Sequence, residues 1–200
     1  LIGNEYAIQR NIPDSHIVHV LSPNSYFVST EDYFSLRDQI LRFGICPLVA
    51  EEKRPSACND MGQPIYTEAN IKLLTDNAPV SYIVLTRGVP TRFTPPDGSN
   101  ESATVDAYLH YGLTRYFDDK SDVALNFNDR AIAYGIEHNF GGKFYPAASN
   151  IANRLRPSDP KIDREYIIGR LDNVDRASAM RLAGKTISAE SNGIYGKVYT

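Results

Sequence analysis

Arg87, Arg92, Asp106, Arg170 and Asp172 are the residues of this 200-residue chain whose types and spacing could do chemistry together. Arg87 opens Arg87-Gly88-Val89-Pro90 directly after the β-formers Tyr82-Ile83-Val84-Leu85-Thr86, and Arg92 lies two residues past the proline. Arg170 and Asp172 close a second run of that kind, Tyr166-Ile167-Ile168-Gly169-Arg170-Leu171-Asp172. If the two runs are parallel strands, Arg87 and Arg170 emerge at one sheet edge, where open α/β sheets place ligands. A planar guanidinium fork takes a carboxylate or phosphate bidentately, so two arginines with Asp106 between them can bind an anion. The same residues can instead form an Arg–Asp network that only ties loops together. Both readings stay open at this point.

Either reading needs elements that hold these residues in place. Tyr82–Thr86 is apolar on both faces and reads as a central strand covered by helices on each side. Residues 2–11 read as a helix with Ile2, Tyr6 and Ala7 inward, ended by Ile12-Pro13, because a residue before proline avoids the α region. His16–Leu21 reads as a strand, broken by Ser22-Pro23-Asn24-Ser25. Ser29-Thr30-Glu31-Asp32 is a helix start, with hydroxyl caps followed by acids at the positive end of the dipole. Tyr33, Leu36, Ile40 and Phe43 continue at helical spacing, and Gly44 is the expected stop. A further helix is predicted over 67–76. Another follows over 103–113 with Val105, Leu109 and Gly112 inward. After the second strand, Asn173 or Asp175 caps a helix whose apolar stripe is Ala179, Met180, Ala183 and Ile187, closed by Gly193. Tyr195–Thr200 then begins another strand.

Helix and strand in alternation are the pattern of a layered α/β fold with parallel pairing. The expectation is one α/β domain over 1–200, a mostly parallel three-layer sheet with a long irregular excursion at about 114–163. Leu1 is not an initiator methionine and the last residues read as a strand begun, so the domain is expected to continue at both ends.

Cys46 and Cys58 are the two cysteines, and the 45–63 segment around them is rich in Pro, Gly and Asn. They read either as unrelated thiols or as a disulfide stapling an irregular loop, and a disulfide implies an oxidising compartment. Two cysteines without a nearby histidine are half a zinc site, so no metal is assigned. His16 and His19 fall on opposite faces of the expected strand, and His110 and His138 are isolated in sequence. Asp118-Asp119-Lys120-Ser121-Asp122 has a lysine where a calcium ligand is needed and reads as a solvated acidic turn. Asn100-Glu101-Ser102 fits the short N-glycosylation pattern. Gly141-Gly142-Lys143 lacks the Ser or Thr that completes a phosphate loop. A net charge of −3 without a basic cluster points away from nucleic acid. No apolar run approaches the roughly 20 residues of a membrane span, and no cofactor fingerprint occurs.

The order of these segments resembles an uncharacterised bacterial family of exported proteins with a Tyr-Ile-Val-Leu-Thr-(Lys/Arg)-Gly-Val-Pro stretch. That stretch is matched by 82–90 and the family's Arg-Gly-Ile-Pro by Arg10-Asn11-Ile12-Pro13. Its Ser-Val-Asp, Arg-Leu-Asp-Gly and Gly-Lys-Ala-Tyr are matched near Thr104-Val105-Asp106, Arg170-Leu171-Asp172-Asn173 and Gly196-Lys197-Val198-Tyr199. Asn11, Thr91 and Asn173 depart from the family's residues, and Cys46–Gln63 looks like an insertion. More distantly, the chain is similar to gingipain-type cysteine peptidases, whose caspase-like sheet has a comparable strand followed later by Gly-Arg-Leu and a helix. In that group the base histidine and nucleophilic cysteine come after that helix, so none of the histidines or cysteines here matches them.

These readings imply a non-catalytic exported or cell-envelope domain that acts as a structural, assembly or binding component, with a protein partner or self-assembly. The alternative is part of a gingipain-like peptidase domain whose catalytic His and Cys lie beyond residue 200. A third option, an intracellular flavodoxin-like enzyme, needs a phosphate-cradling loop that the sequence does not supply.

Overall fold

The computed structural model describes residues 2–93, 104–114, 116, 166–171 and 175–192. Its helices are α1 (Ile2–Gln9), α2 (Thr30–Gln39), α3 (Glu68–Asn77), α4 (Val105–Thr114) and α5 (Arg176–Asn192). Its strands are β1 (Phe27–Val28), β2 (Tyr82–Thr86), β3 (Arg92–Phe93) and β4 (Ile167–Leu171). The expected excursion at 114–163, Asp172, the acidic turn, the sequon, His138, Gly193 and the closing strand lie outside the described residues, apart from Thr114 and Tyr116.

The fold mixes helix and strand with parallel pairing. β2 and β4 run parallel, with Tyr82 opposite Ile167 and Thr86 opposite Leu171, and β1 pairs parallel with β3. Because side chains alternate along a strand, this register sorts the main pair into two faces. Ile83, Leu85, Ile168 and Arg170 share one face. Tyr82, Val84, Thr86, Ile167, Gly169 and Leu171 share the other.

The first face meets the larger core. Leu85, with Ile83 and Ile168 beside it, packs into a cluster with Tyr33 and Leu36 of α2, Ile71 and Leu74 of α3, and Leu109 and Leu113 of α4. Each such side chain, fully buried, contributes roughly 1.5–3 kcal/mol. On the second face Leu171 packs with Ala179 and Ala183 of α5 and with Tyr6 of α1. A Cβ on Gly3 would stand 3.3 Å from Thr86 Cγ2, so α1 also presses on the carboxyl end of β2. The amino-terminal half of that face is open: Tyr82 is 62% exposed and Val84 41%. β2 is therefore not covered on both faces along its length. Its helices reach only its carboxyl half on one side, where a tyrosine with a polar tip tolerates water.

Helix ends follow local chemistry. Ser29 accepts from Asp32 N–H at 3.1 Å, the expected cap for α2, and Thr67, read as the first helical residue, instead caps α3 by accepting from Asn70 N–H at 3.3 Å. Asp175 caps α5, accepting from Ser178 N–H at 2.7 Å. α1 ends in a Schellman arrangement, with Ile12 N–H to Ala7 O at 2.8 Å and Asn11 N–H to Ile8 O at 3.3 Å. Asn11 sits at φ 53°, a left-handed position that glycine or asparagine fills best.

Two expectations are corrected. His16–Leu21 is not a strand: Asp14–His16 is a 3-10 turn and residues 17–21 have no strand partner among the described residues. The backbone of Leu21 is held by a side chain instead, since Gln39 accepts from Leu21 N–H at 2.7 Å and donates to Leu21 O at 3.0 Å. His16 and His19 accordingly share no strand geometry, and both are exposed. Gly44 does not stop α2, because the chain continues through a π-turn over Ile40–Ile45. A Cβ there would lie 3.2 Å from Val18 Cγ2, so the glycine admits the 17–21 segment against the helix. Phe43, which follows Tyr33, Leu36 and Ile40 at helical spacing, is 50% exposed on that turn.

Candidate functional site

The turn after β2 is closed by Val89 N–H to Thr86 O at 3.3 Å, with Gly88 at φ 110° in its third position. A β-branched or larger residue is strained at that φ. The turn presents the Val89 and Pro90 carbonyls toward the neighbouring strand. Arg170, opposite Leu85 on β4, donates through Nη1 to Val89 O at 2.7 Å and through Nη2 to Pro90 O at 3.0 Å. Its Nε reaches both Asp106 carboxylate oxygens, at 3.0 and 3.1 Å, and Nη2 lies 2.5 Å from Asp106 Oδ1. Asp106 belongs to the first turn of α4, where a carboxylate also complements the helix dipole. Side-chain exposures of 14% for Arg170 and 29% for Asp106 place the pair at the rim of the core.

This geometry carries a structural consequence. At least four of the guanidinium's five N–H donors are occupied by the protein itself. The arrangement ties β4, the β2 turn and the start of α4 into one knot. Val105 N–H to Thr91 O at 3.0 Å and a bridge between Arg92 and Thr104 add to it. Of the five residues singled out in the sequence, Asp106 and Arg170 come together. Arg87 is exposed beyond the strand end. Arg92 goes elsewhere, donating from Nε to the Tyr26 hydroxyl at 3.1 Å with its guanidinium 6.0 Å from the ring centre. That hydrogen bond from Arg92 is the main cause that lowers the Tyr26 pKa from the phenol value of 10.0. Asp172 lies outside the described residues.

The cysteine segment is a second organised region. Cys46 and Cys58 form a disulfide. The 45–63 stretch contains 3-10 turns at Cys46–Leu48, Glu51–Lys53 and Ser56–Cys58. Arg42, on the π-turn, donates to the carbonyls of Ala57, Asp60 and Gln63, the second at 3.2 Å. Arg54 donates to Val49 O at 2.9 Å and Pro47 O at 3.3 Å. The loop is held by guanidinium-to-carbonyl bonds as well as by sulfur.

One further feature was missed in the sequence, and His110, read there as an isolated histidine, is a core residue. Arg37 is buried to 2% and lies 3.3 Å over the Tyr66 ring and 4.8 Å over Phe34, with Nε donating to Asp38 Oδ1 at 3.1 Å. A cation inside the apolar stripe Tyr33, Leu36, Ile40 was the available signal. His110, buried on α4, contacts Tyr166 O through Nδ1 at 2.6 Å, which requires a proton on Nδ1 because a carbonyl only accepts. Tyr166 in turn donates its hydroxyl to Leu74 O at 3.3 Å.

Among the described residues no three metal-binding side chains converge, and no helix is long and apolar enough to cross a membrane. A hollow of about 170 Å³ beside Ser178, Arg181, Leu182 and Lys185 of α5 is below the roughly 300 Å³ at which drug-sized sites begin. Comparison with protein families, curated proteins and solved structures finds no match to this chain.

Proposed function

We propose that the chain is a non-catalytic exported or cell-envelope domain serving as a structural, assembly or binding component, on a mostly parallel, caspase-like layered sheet. The observation that carries this reading is the use of Arg170. The residue best placed to take an anion at the sheet edge is bonded to Asp106 and to two backbone carbonyls. Two more features support it. Both cysteines are in a disulfide, which leaves neither as a thiol nucleophile and fits an oxidising compartment. The helices on both sides of β2 and β4 are compatible with a layered sheet. The test is fractionation of cells that make the protein, with thiol trapping and gentle cross-linking. Recovery outside the cytoplasm, with Cys46 and Cys58 oxidised and the chain in a larger assembly, is expected. A strictly monomeric, partnerless protein in a reducing compartment overturns the reading.

One observation favours the peptidase alternative: Gly169-Arg170-Leu171 lies parallel beside β2 and is followed by α5, the order of the gingipain-type sheet. On this reading the base and nucleophile belong to chain beyond Thr200. An activity-based thiol probe on the full-length polypeptide separates the two readings, since labelling is expected only for the peptidase.

A further inference from the structure

The chain has 13 tyrosines, no tryptophan and no free thiol, so tyrosine is the side chain most readily oxidised by one electron. Among the described residues two tyrosine pairs have their rings in contact. Tyr33 and Tyr108 stand 5.8 Å apart at 72°, with the Tyr33 hydroxyl donating to Tyr108 O, and both are sealed in the core. Tyr66 and Tyr116 stand 5.2 Å apart at 41°. Here one ring is within reach of solvent, since Tyr116 is 39% exposed and Tyr66 9%.

We propose that Tyr66 and Tyr116 are a site of oxidative cross-linking, their rings joined ortho carbon to ortho carbon by a haem peroxidase and hydrogen peroxide. The peroxidase first takes one electron from the exposed Tyr116 ring, and its phenolic proton leaves to water. The neighbouring ring refills it: Tyr66 gives up an electron across the contact and its phenolic proton passes to water, which leaves Tyr116 as a phenolate. The Arg37 guanidinium 3.3 Å over Tyr66 disfavours a ring cation, so proton and electron depart together. A second one-electron oxidation of Tyr116 then leaves a radical on each ring. The two couple through a new carbon–carbon bond, and each ortho hydrogen moves to its own phenolic oxygen as the rings regain aromaticity. A pair of hydrogen atoms is lost in total, and one peroxide is reduced to water. Arg37 also holds Tyr66 in a fixed pose, which favours coupling within the chain over encounter between copies. Like the disulfide, the bond would close a loop of the chain, here between α3's entry and the exit of α4.

This inference goes beyond the proposed function and does not rest on it. The purified chain, kept dilute, is treated with a plant haem peroxidase and limiting peroxide, so that direct oxidation of exposed Met61 stays low. The expected result is bityrosine fluorescence in the monomer band and a peptide pair joined through 66 and 116, lighter by a pair of hydrogen atoms. The yield per chain should not change with protein concentration. Tyr116→Phe, a change at an exposed position, should fold normally and lose the signal. Fluorescence confined to oligomers joined through exposed Tyr26 or Tyr82, or monomer fluorescence persisting in Tyr116→Phe, overturns the proposal. Because the reagents supply the oxidant, either of those results leaves the exported reading standing. A cytoplasmic location overturns that reading without touching the ring chemistry.

Discussion

The Arg170 knot and the cysteine module use the same chemistry over different spans of chain. In both, a guanidinium donates to backbone carbonyls. In the module the partners of Arg42 lie 15 to 21 residues away, and the disulfide closes a separation of 12. In the knot, Arg170 reaches 64 residues back to Asp106 and about 80 to the β2 turn. A local clamp removes freedom from one loop, whereas a long-range clamp fixes how strands and helices sit against each other. The first should fail locally and the second globally.

Removing Arg170 is the strongest way to expose that difference. Arg170→Met leaves Asp106 and two carbonyls near the core without their donor. About 3 kcal/mol of destabilisation is expected, at the low end for broken buried pairs because both groups keep some solvent contact. Denaturant unfolding measures it, and an Asp106→Asn, Arg170→Met cycle should return a coupling of about 1–3 kcal/mol. Next comes the disulfide: Cys46→Ser with Cys58→Ser should cost about 2–3 kcal/mol, mostly by loosening the unfolded chain. Arg42→Met should cost about 2 kcal/mol, and hydrogen exchange should accelerate in 45–63 while β2 and β4 stay protected. If β2 exchanges equally fast in that variant, the contrast between local and global clamps is wrong.

Smaller effects sharpen the picture at the helix ends. Asn11→Val should destabilise by about 1 kcal/mol, and Asn11→Gly should change stability little. Asp175 titrates below its ordinary value of 3.8, chiefly because its carboxylate accepts from the Ser178 backbone N–H. A carboxylate with a depressed folded pKa stabilises the native state above the unfolded value, and that support fades as pH falls through the folded one. Protection of the amides in the first turn of α5, taken relative to their intrinsic exchange, should therefore fall below about pH 4, and an Asp175→Ala chain should lack that acid-side change.

What the sequence made legible follows the same division. Residue-type signals over short spans were readable: the hydroxyl cap at Ser29, the paired cysteines, and the apolar faces of α2, α3 and α4. The parallel pairing of β2 with β4 was also readable, from two similar β-runs separated by helix. The Arg–Asp network was foreseen as one of two readings, yet which carbonyls Arg170 would take was not, because backbone acceptors carry no sequence signature. The 17–21 stretch failed for a related reason. Its alternating apolar residues match a strand, but at its end a side-chain amide on α2 takes the backbone groups of Leu21 that a neighbouring strand would have used. Gly44 was read by its usual role at helix ends, while its actual use is steric clearance for Val18. Coverage of β2 was overestimated because apolar residues on both faces do not say how far along the strand the helices extend.

The parallel register of β2 and β4 has a mechanical corollary. Tension applied at the amino end of β2 and the carboxyl end of β4 acts along the strands, so all five residue pairs bear load together instead of parting one by one. Arg170, bonded across from β4 to the turn just past β2, adds a rivet near the far end of that seam.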